Sequence, residues 1–172
     1  MIETFETDVT KLTKPCRKLT FDDANLITEI AEKIDRMWDT GWVKPLAVAA
    51  NQVGYDVQFS VVRTNPHKPI WLINSEIIDR KGLQPHASEG CLSIPNRRFV
   101  TWRYLNVTIL NGIYGTDSVE FTGLEAQVVQ HEIDHFKGIL CVSRQEKGFE
   151  DQPRNEICLC GSGRKFKKCH GV

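Results

Sequence analysis

At 172 residues, 41% hydrophobic and 26% charged, the chain is long enough for one core of ordinary size and leaves little for a second. Lysine plus arginine and aspartate plus glutamate balance at 22 each, which excludes a whole-chain field directed at nucleic acid or at an anionic membrane. The balance hides an asymmetry: residues 153–172 hold Arg154, Arg164, Lys165, Lys167 and Lys168 against Glu156, so a tail of +4 follows a body of −4.

In chain order, the first residues are acidic and lack an apolar leader, and no run approaches the roughly 18 apolar residues a membrane span needs. A cytoplasmic protein that engages neither a membrane nor a specific DNA is the expectation. Thr20 and Asp23 approximate a capping box, and Leu26, Ile27, Ile30, Ile34, Met37 and Trp38 then recur at helical spacing up to Gly41. This predicts an amphipathic helix. Residues 57–63, 69–74, 105–110 and 118–121 are short, rich in β-branched or aromatic side chains and separated by Gly, Pro or Asn, as strands are. Thr122 with Glu125 forms a second capping box, opening a helix that carries His131 and His135 and ends at Gly138. Strands outnumber helices without alternating as βαβ units would. The expected class is therefore α+β, with antiparallel sheets around a central helix. The polar stretch 145–154, with Gly148 and Pro153, reads as a linker, which divides the chain into a domain over 1–150 and an appended segment over 151–172.

His131-Glu132-Ile133-Asp134-His135 is an H-E-x-x-H sequence. Positions i and i+4 share one helix face, so both imidazoles can bind one metal ion while Glu132 serves as general base on a water. A catalytic site of this kind needs a third protein ligand. One candidate is Cys141, because His131-Glu-x-x-His135-x-x-Gly138-x-x-Cys141 parallels the extended zincin motif of metallopeptidases. Of the six cysteines, three crowd into residues 158–169 while Cys16, Cys91 and Cys141 lie far apart, a distribution that favours metal ligands over disulfides in a cytosolic chain.

Glu89-Gly90-Cys91-Leu92-Ser93, followed some forty residues later by Gln130-His131-Glu132-Ile133-Asp134-His135, resembles the second and third signature motifs of the peptide deformylases. The first motif of that family, Gly-x-Gly-Leu-Ala-Ala-x-Gln, is recognisable but altered as Pro45-Leu46-Ala47-Val48-Ala49-Ala50-Asn51-Gln52. The resemblance implies removal of the formyl group from N-terminal formyl-methionine of nascent polypeptides, with a metal-bound water as nucleophile. It makes Cys91, His131 and His135 the ligands of one catalytic divalent metal, Fe²⁺ natively with Zn²⁺ or Ni²⁺ accepted. Glu132 becomes the acid/base residue, and the Gln52 side-chain amide with the Leu92 backbone N–H the oxyanion hole. Leu46, Ala47, Val48, Leu124, Gln127 and Val128 would line a methionine-sized pocket bordered by Glu89 and Gly90, with plain core as the alternative for the apolar ones. Glu89 and Arg103 match positions that pair in the family and would hold the cysteine strand. Pro45 and Ala47 replace family glycines, so the pocket rim is expected to be reshaped. Arg97 and Arg98 would meet the peptide or stay surface charges; Cys16, His67 and His86 match no motif.

In the tail, Cys158-x-Cys160, then eight residues, then Cys169-His170 offers four ligands for a closed tetrahedral Zn²⁺ site. About twenty residues cannot build a core without such a staple. The spacing resembles the SEC-C motif. Its basic residues make the ribosome the expected partner, and a non-catalytic adaptor is the alternative of another class. That alternative leaves Glu132 and Gln52, which only catalysis needs, without a purpose.

Overall fold

The computed structural model describes residues 5–40, 44–144, 154–155 and 164–168. A short helix α1 (Val9–Leu12) precedes the long helix α2 (Ala24–Thr40). Three short strands, β1 (Ala47–Ala49), β2 (Phe59–Val62) and β3 (Ile70–Ile73), form one antiparallel sheet in that order. A second antiparallel sheet joins the long strands β4 (Glu76–Cys91) and β5 (Ile94–Asn111) to β6 (Asp117–Thr122), after which α3 (Gly123–Phe136) carries the histidines. The fold is α+β, as the sequence predicts. Among the described residues no helix is long and apolar enough to cross a membrane.

Two apolar clusters account for the arrangement. Ile27, Ile30, Ile34, Met37 and Trp38, spaced to share one face of α2, pack on Val48, Phe59 and Val61. Val62 and Leu72 from the first sheet meet Val107, Ile109 and Phe121 from the second, with Ala126, Val129, Ile133 and Phe136 of α3 closing over both. Helix α3 therefore bridges the two sheets. Strand β2 lies between the helices: Phe59 and Val61 turn toward α2, while Ser60 and Val62 turn toward α3, and all four are buried.

The predicted strands 57–63, 69–74 and 118–121 are present, and 105–110 is the second half of a strand that begins at Ile94. The ribbon from Glu76 to Tyr104 was not legible. Asp79, Arg80, Lys81 and Pro85 in β4 are exposed, so that edge strand has no apolar alternation to read. Of the two expected capping boxes the first is present and the second is not. At the first, Asp23 accepts from the Thr20 N–H at 2.8 Å, but the pair opens a 3-10 turn (Phe21–Asp23) ahead of α2. At the second, Thr122 makes no side-chain cap, and Glu125 accepts from the Thr64 hydroxyl at 2.8 Å. Gly138 does end α3, at φ +68°. A Cβ there would sit 2.4 Å from the Thr13 carbonyl oxygen, so glycine is needed for the crossing of the N-terminal segment as well as for the turn.

In the tail, a 3-10 turn (Phe166–Lys168) is held by the Lys167 N–H donating to the Arg154 carbonyl at 2.9 Å, and Arg164, Lys165, Lys167 and Lys168 are exposed. The predicted zinc ligands Cys158, Cys160, Cys169 and His170 lie outside the described residues, as does Gly41.

Candidate active site

Four elements meet at one cleft. Cys91 is the last residue of β4, paired with Ile94 across a two-residue turn made by Leu92 and Ser93. Register shifts between His86 and Glu89, and again between Glu89 and Cys91, bend this end of the ribbon inward. Helix α3 presents His131 and His135 one turn apart, and β1 leads into a 3-10 turn (Ala50–Val53) that carries Gln52.

Cys91 Sγ lies 3.4 Å from His135 Nε2, which lies 3.2 Å from His131 Nε2. The three ligand atoms all fall within 4.8 Å of one another. Around a tetrahedral ion with metal–nitrogen bonds of ~2.05 Å and a metal–sulfur bond of ~2.3 Å, nitrogens would be ~3.3 Å apart and sulfur ~3.6 Å from each. The donor set fits one such ion. The Cys141 thiol contacts Cys91 and packs with it and Phe99, but it is not one of the converging donors.

Charge and hydrogen bonding hold these three donors in place. His131 Nδ1 is 2.7 Å from Glu89 Oε1, so its other nitrogen is the one turned toward Cys91 and His135. Glu89 also accepts a two-pronged bond from Arg103, at 2.9 and 2.6 Å, and one from the Thr101 hydroxyl at 2.5 Å. Arg103 reaches on to Asp134 at 2.6 Å, and Arg144 clasps the same carboxylate at 3.1 and 2.7 Å. Burial pushes the Glu89 carboxyl pKa up, but the Arg103 fork and His131 outweigh it and hold the group far below the usual carboxylate range. Burial depresses His131 while its Glu89 bond raises it, for a net rise; burial and then the neighbouring His131 push His135 well below its ordinary value. Burial raises Glu132 against the opposing pull of His131 and of the Ser60 hydroxyl, which donates to it at 2.6 Å. The Cys141 thiol and burial both push Cys91 up, a bias that a bound cation inverts.

Gln52 is buried, and its carbonyl accepts the Ala49 N–H at 2.9 Å. That contact fixes the amide so that Nε2 faces Cys91 Sγ at 3.4 Å and Ser93 Oγ at 3.2 Å. The cleft has a volume of about 830 Å³ and is lined by Lys44, Pro45, Leu46, Ala47, Gln52, Glu89, Gly90, Cys91 and Leu92 on one side. Leu124, Gln127, Val128, His131 and Glu132 line it from α3, and Ile94 to Arg98 from the start of β5. Leu46 and Leu124 are 43% and 51% exposed, large apolar side chains left at the cleft rim. Arg98 lies across Gly90, where a Cβ would meet its guanidinium at 2.8 Å.

Every expected pocket residue borders this cleft except Val48, which is 2% exposed and belongs to the core under α2. Alternation along β1 sends Ala47 to the cleft and Val48 to the core. Ser60, Thr101, Asp134 and Arg144 were missed. Asp134 sat inside the histidine motif, and Ser60 was a lone hydroxyl in the apolar run Phe59-Ser60-Val61-Val62; both were visible signals. Cys16 is also structural: its thiol and N–H point at the His135 and Phe136 carbonyls, at 3.7 and 2.9 Å, and tie the N-terminal segment to the end of α3. His67 is exposed.

Comparison with known proteins agrees with this geometry. The polypeptide deformylase family model matches residues 2–149, and the SEC-C motif model matches residues 154–171. A peptide deformylase of Natranaerobius thermophilus is 33% identical over 143 residues, which is 82% of this chain and 90% of that protein. The crystal structure of a peptide deformylase from Synechococcus elongatus in complex with actinonin superposes with a TM-score of 0.72 at 29% identity, covering 86% of this chain and 80% of that one. The peptide deformylase of Thermotoga maritima gives a TM-score of 0.71 at 27% identity, covering 85% and 99%.

Proposed function

The chain belongs to the polypeptide deformylase family, metal-dependent hydrolases that remove the formyl group from nascent peptides, and we propose how its own residues carry out that reaction. Cys91, His131 and His135 hold one catalytic divalent ion. The observation that carries this is the convergence of Cys91 Sγ and the two histidine Nε2 atoms beside the cleft. When bound, the metal acidifies the attacking water and polarises the formyl carbonyl. One thiolate and two imidazoles admit Fe²⁺, Zn²⁺ or Ni²⁺ alike, and it is the resemblance to the family that makes Fe²⁺ the native ion.

Glu132 takes the proton from the attacking water and returns it to the leaving amine. The Gln52 amide and the Leu92 N–H stabilise the negative charge that grows on the formyl oxygen. Leu46, Ala47, Gly90, Leu124, Gln127 and Val128 receive the methionine side chain, and Arg97 and Arg98 meet the peptide beyond it. Arg103, through Glu89, orients the His131 ring. The body to about residue 150 works as one unit.

Residues 151–172 are a linker and a SEC-C-type module, in which Cys158, Cys160, Cys169 and His170 bind one structural Zn²⁺. Its exposed cations present a compact positive surface to the phosphates of the ribosome, where short formylated chains emerge. Held there, an enzyme of the cytoplasm gains effective substrate concentration with no change in its active site.

The catalytic reading is tested by Glu132→Gln. That protein should keep its metal and lose on the order of 10² to 10⁴ in deformylation, the usual scale for removal of a general base. Turnover at the wild-type rate in a metal-loaded Glu132→Gln protein would remove Glu132 from the mechanism.

A further inference from the structure

Ser60 stands at the centre of β2, wholly buried among Phe59, Val61 and Val62. Its Oγ lies 2.6 Å from Glu132 Oε2 and 2.9 Å from the Val48 carbonyl oxygen. A hydroxyl has one proton and two lone pairs, so it cannot donate to both neighbours at once. When Glu132 is a carboxylate, the proton of Ser60 belongs on it, because a bond to an ionised acceptor is the stronger of the two. When the transferred proton sits on Oε1, Oε2 remains an acceptor and the Ser60 O–H stays on it, with the Val48 carbonyl as the competing acceptor. Ser60 keeps its own proton throughout. No covalent bond changes at the serine. In both states the buried Oε2 has a partner and no reason to move.

We propose that Ser60 is a positioning residue for Glu132, a buried hydroxyl packed beside the Val48 carbonyl that holds Oε2 in one place while the other carboxyl oxygen faces the cleft. Oε1 is then the oxygen that handles the proton on the cleft side. The inference rests on Glu132 acting as the acid/base group. A general base that wandered between rotamers would lose alignment with the water it serves, and alignment is where positioned groups gain their rate. Phe59-Ser60-Val61-Val62 is otherwise apolar, so the hydroxyl is not there to solvate the strand.

The test is a double-mutant cycle of Ser60→Ala with Glu132→Asp, read as kcat, KM and metal content. The aspartate carboxyl is one methylene shorter and withdraws from Ser60. In the wild-type background Ser60→Ala should lower kcat on the order of tenfold, as expected for a lost hydrogen bond to a charged group. KM and metal content should hold, and Ser60→Thr should recover most of the loss. In the Glu132→Asp background the same change should cost less than about twofold, because the contact is already broken. A crystal structure of Ser60→Ala should show the Glu132 carboxyl displaced. Equal losses in the two backgrounds, no loss in the first, a loss that follows metal content, or an unmoved carboxyl would each overturn the proposal. If Ser60→Thr melts early, the alanine cycle alone decides. Should Glu132→Gln keep full turnover, the acid/base reading itself has failed; should it lose turnover while Ser60→Ala does not, only the role of Ser60 has.

Discussion

Either Cys91 or Cys141 has the chemistry of a third metal ligand, and the two thiols touch. Geometry separates them, because only Cys91 converges with both imidazoles. Cys91→Ser should strip or weaken the catalytic metal, while Cys141→Ser should leave it bound at full stoichiometry. Metal analysis of the two purified proteins checks this, and the opposite pattern would restore the zincin-like alternative. The residues that were legible in sequence were those whose partners are contiguous or set by helix periodicity: His131, Glu132 and His135, with Cys91 and Gln52 in recognisable motifs. Thr101 and Arg144 were not, because each acts on a partner brought close only by the fold, and the lone hydroxyl of Ser60 in an apolar strand did not name its partner. Val48 was misplaced for a simpler reason. In a strand of three residues, one alternation decides between cleft and core, and nothing in Ala47-Val48-Ala49 fixes its phase.

Helix α3 is the element on which the site depends, since it carries two of the proposed ligands and the proposed base while its apolar face closes the core between the sheets. Its apolar positions and terminal glycine were readable in sequence. The ribbon that delivers Cys91 and Glu89 was not, because much of β4 faces solvent and its inward bend depends on bulges. The end of α3 can be probed directly. Gly138→Ala combines a left-handed backbone with a Cβ 2.4 Å from the Thr13 carbonyl oxygen, whereas Gly123→Ala, at φ +56°, meets nothing within 4 Å. Gly138→Ala should therefore destabilise by more than about 1 kcal/mol, and by more than Gly123→Ala, in urea unfolding monitored by circular dichroism. Equal midpoints for the two variants would show that the N-terminal segment yields without cost.

On the scale of the whole molecule, a neutral chain divides into a body of −4 and a tail of +4. The proposed catalytic groups all lie on the body, so removal of residues after Arg154 should leave peptide hydrolysis nearly intact and reduce co-sedimentation with ribosomes at low salt. Unchanged co-sedimentation would assign the tail another partner. Lost hydrolysis would make the tail part of the catalytic fold. On the proposed function, Cys91, His131 and His135 assemble a metal centre that deformylates formyl-methionyl peptides with Glu132 as its base. This function is tested most directly by formate release from formyl-Met-Ala-Ser, using protein purified without oxygen and analysed for metal in the same sample. Formate should appear in proportion to bound divalent metal, vanish on chelation and return when Fe²⁺ is restored. A fully metal-loaded protein that releases no formate would contradict the account.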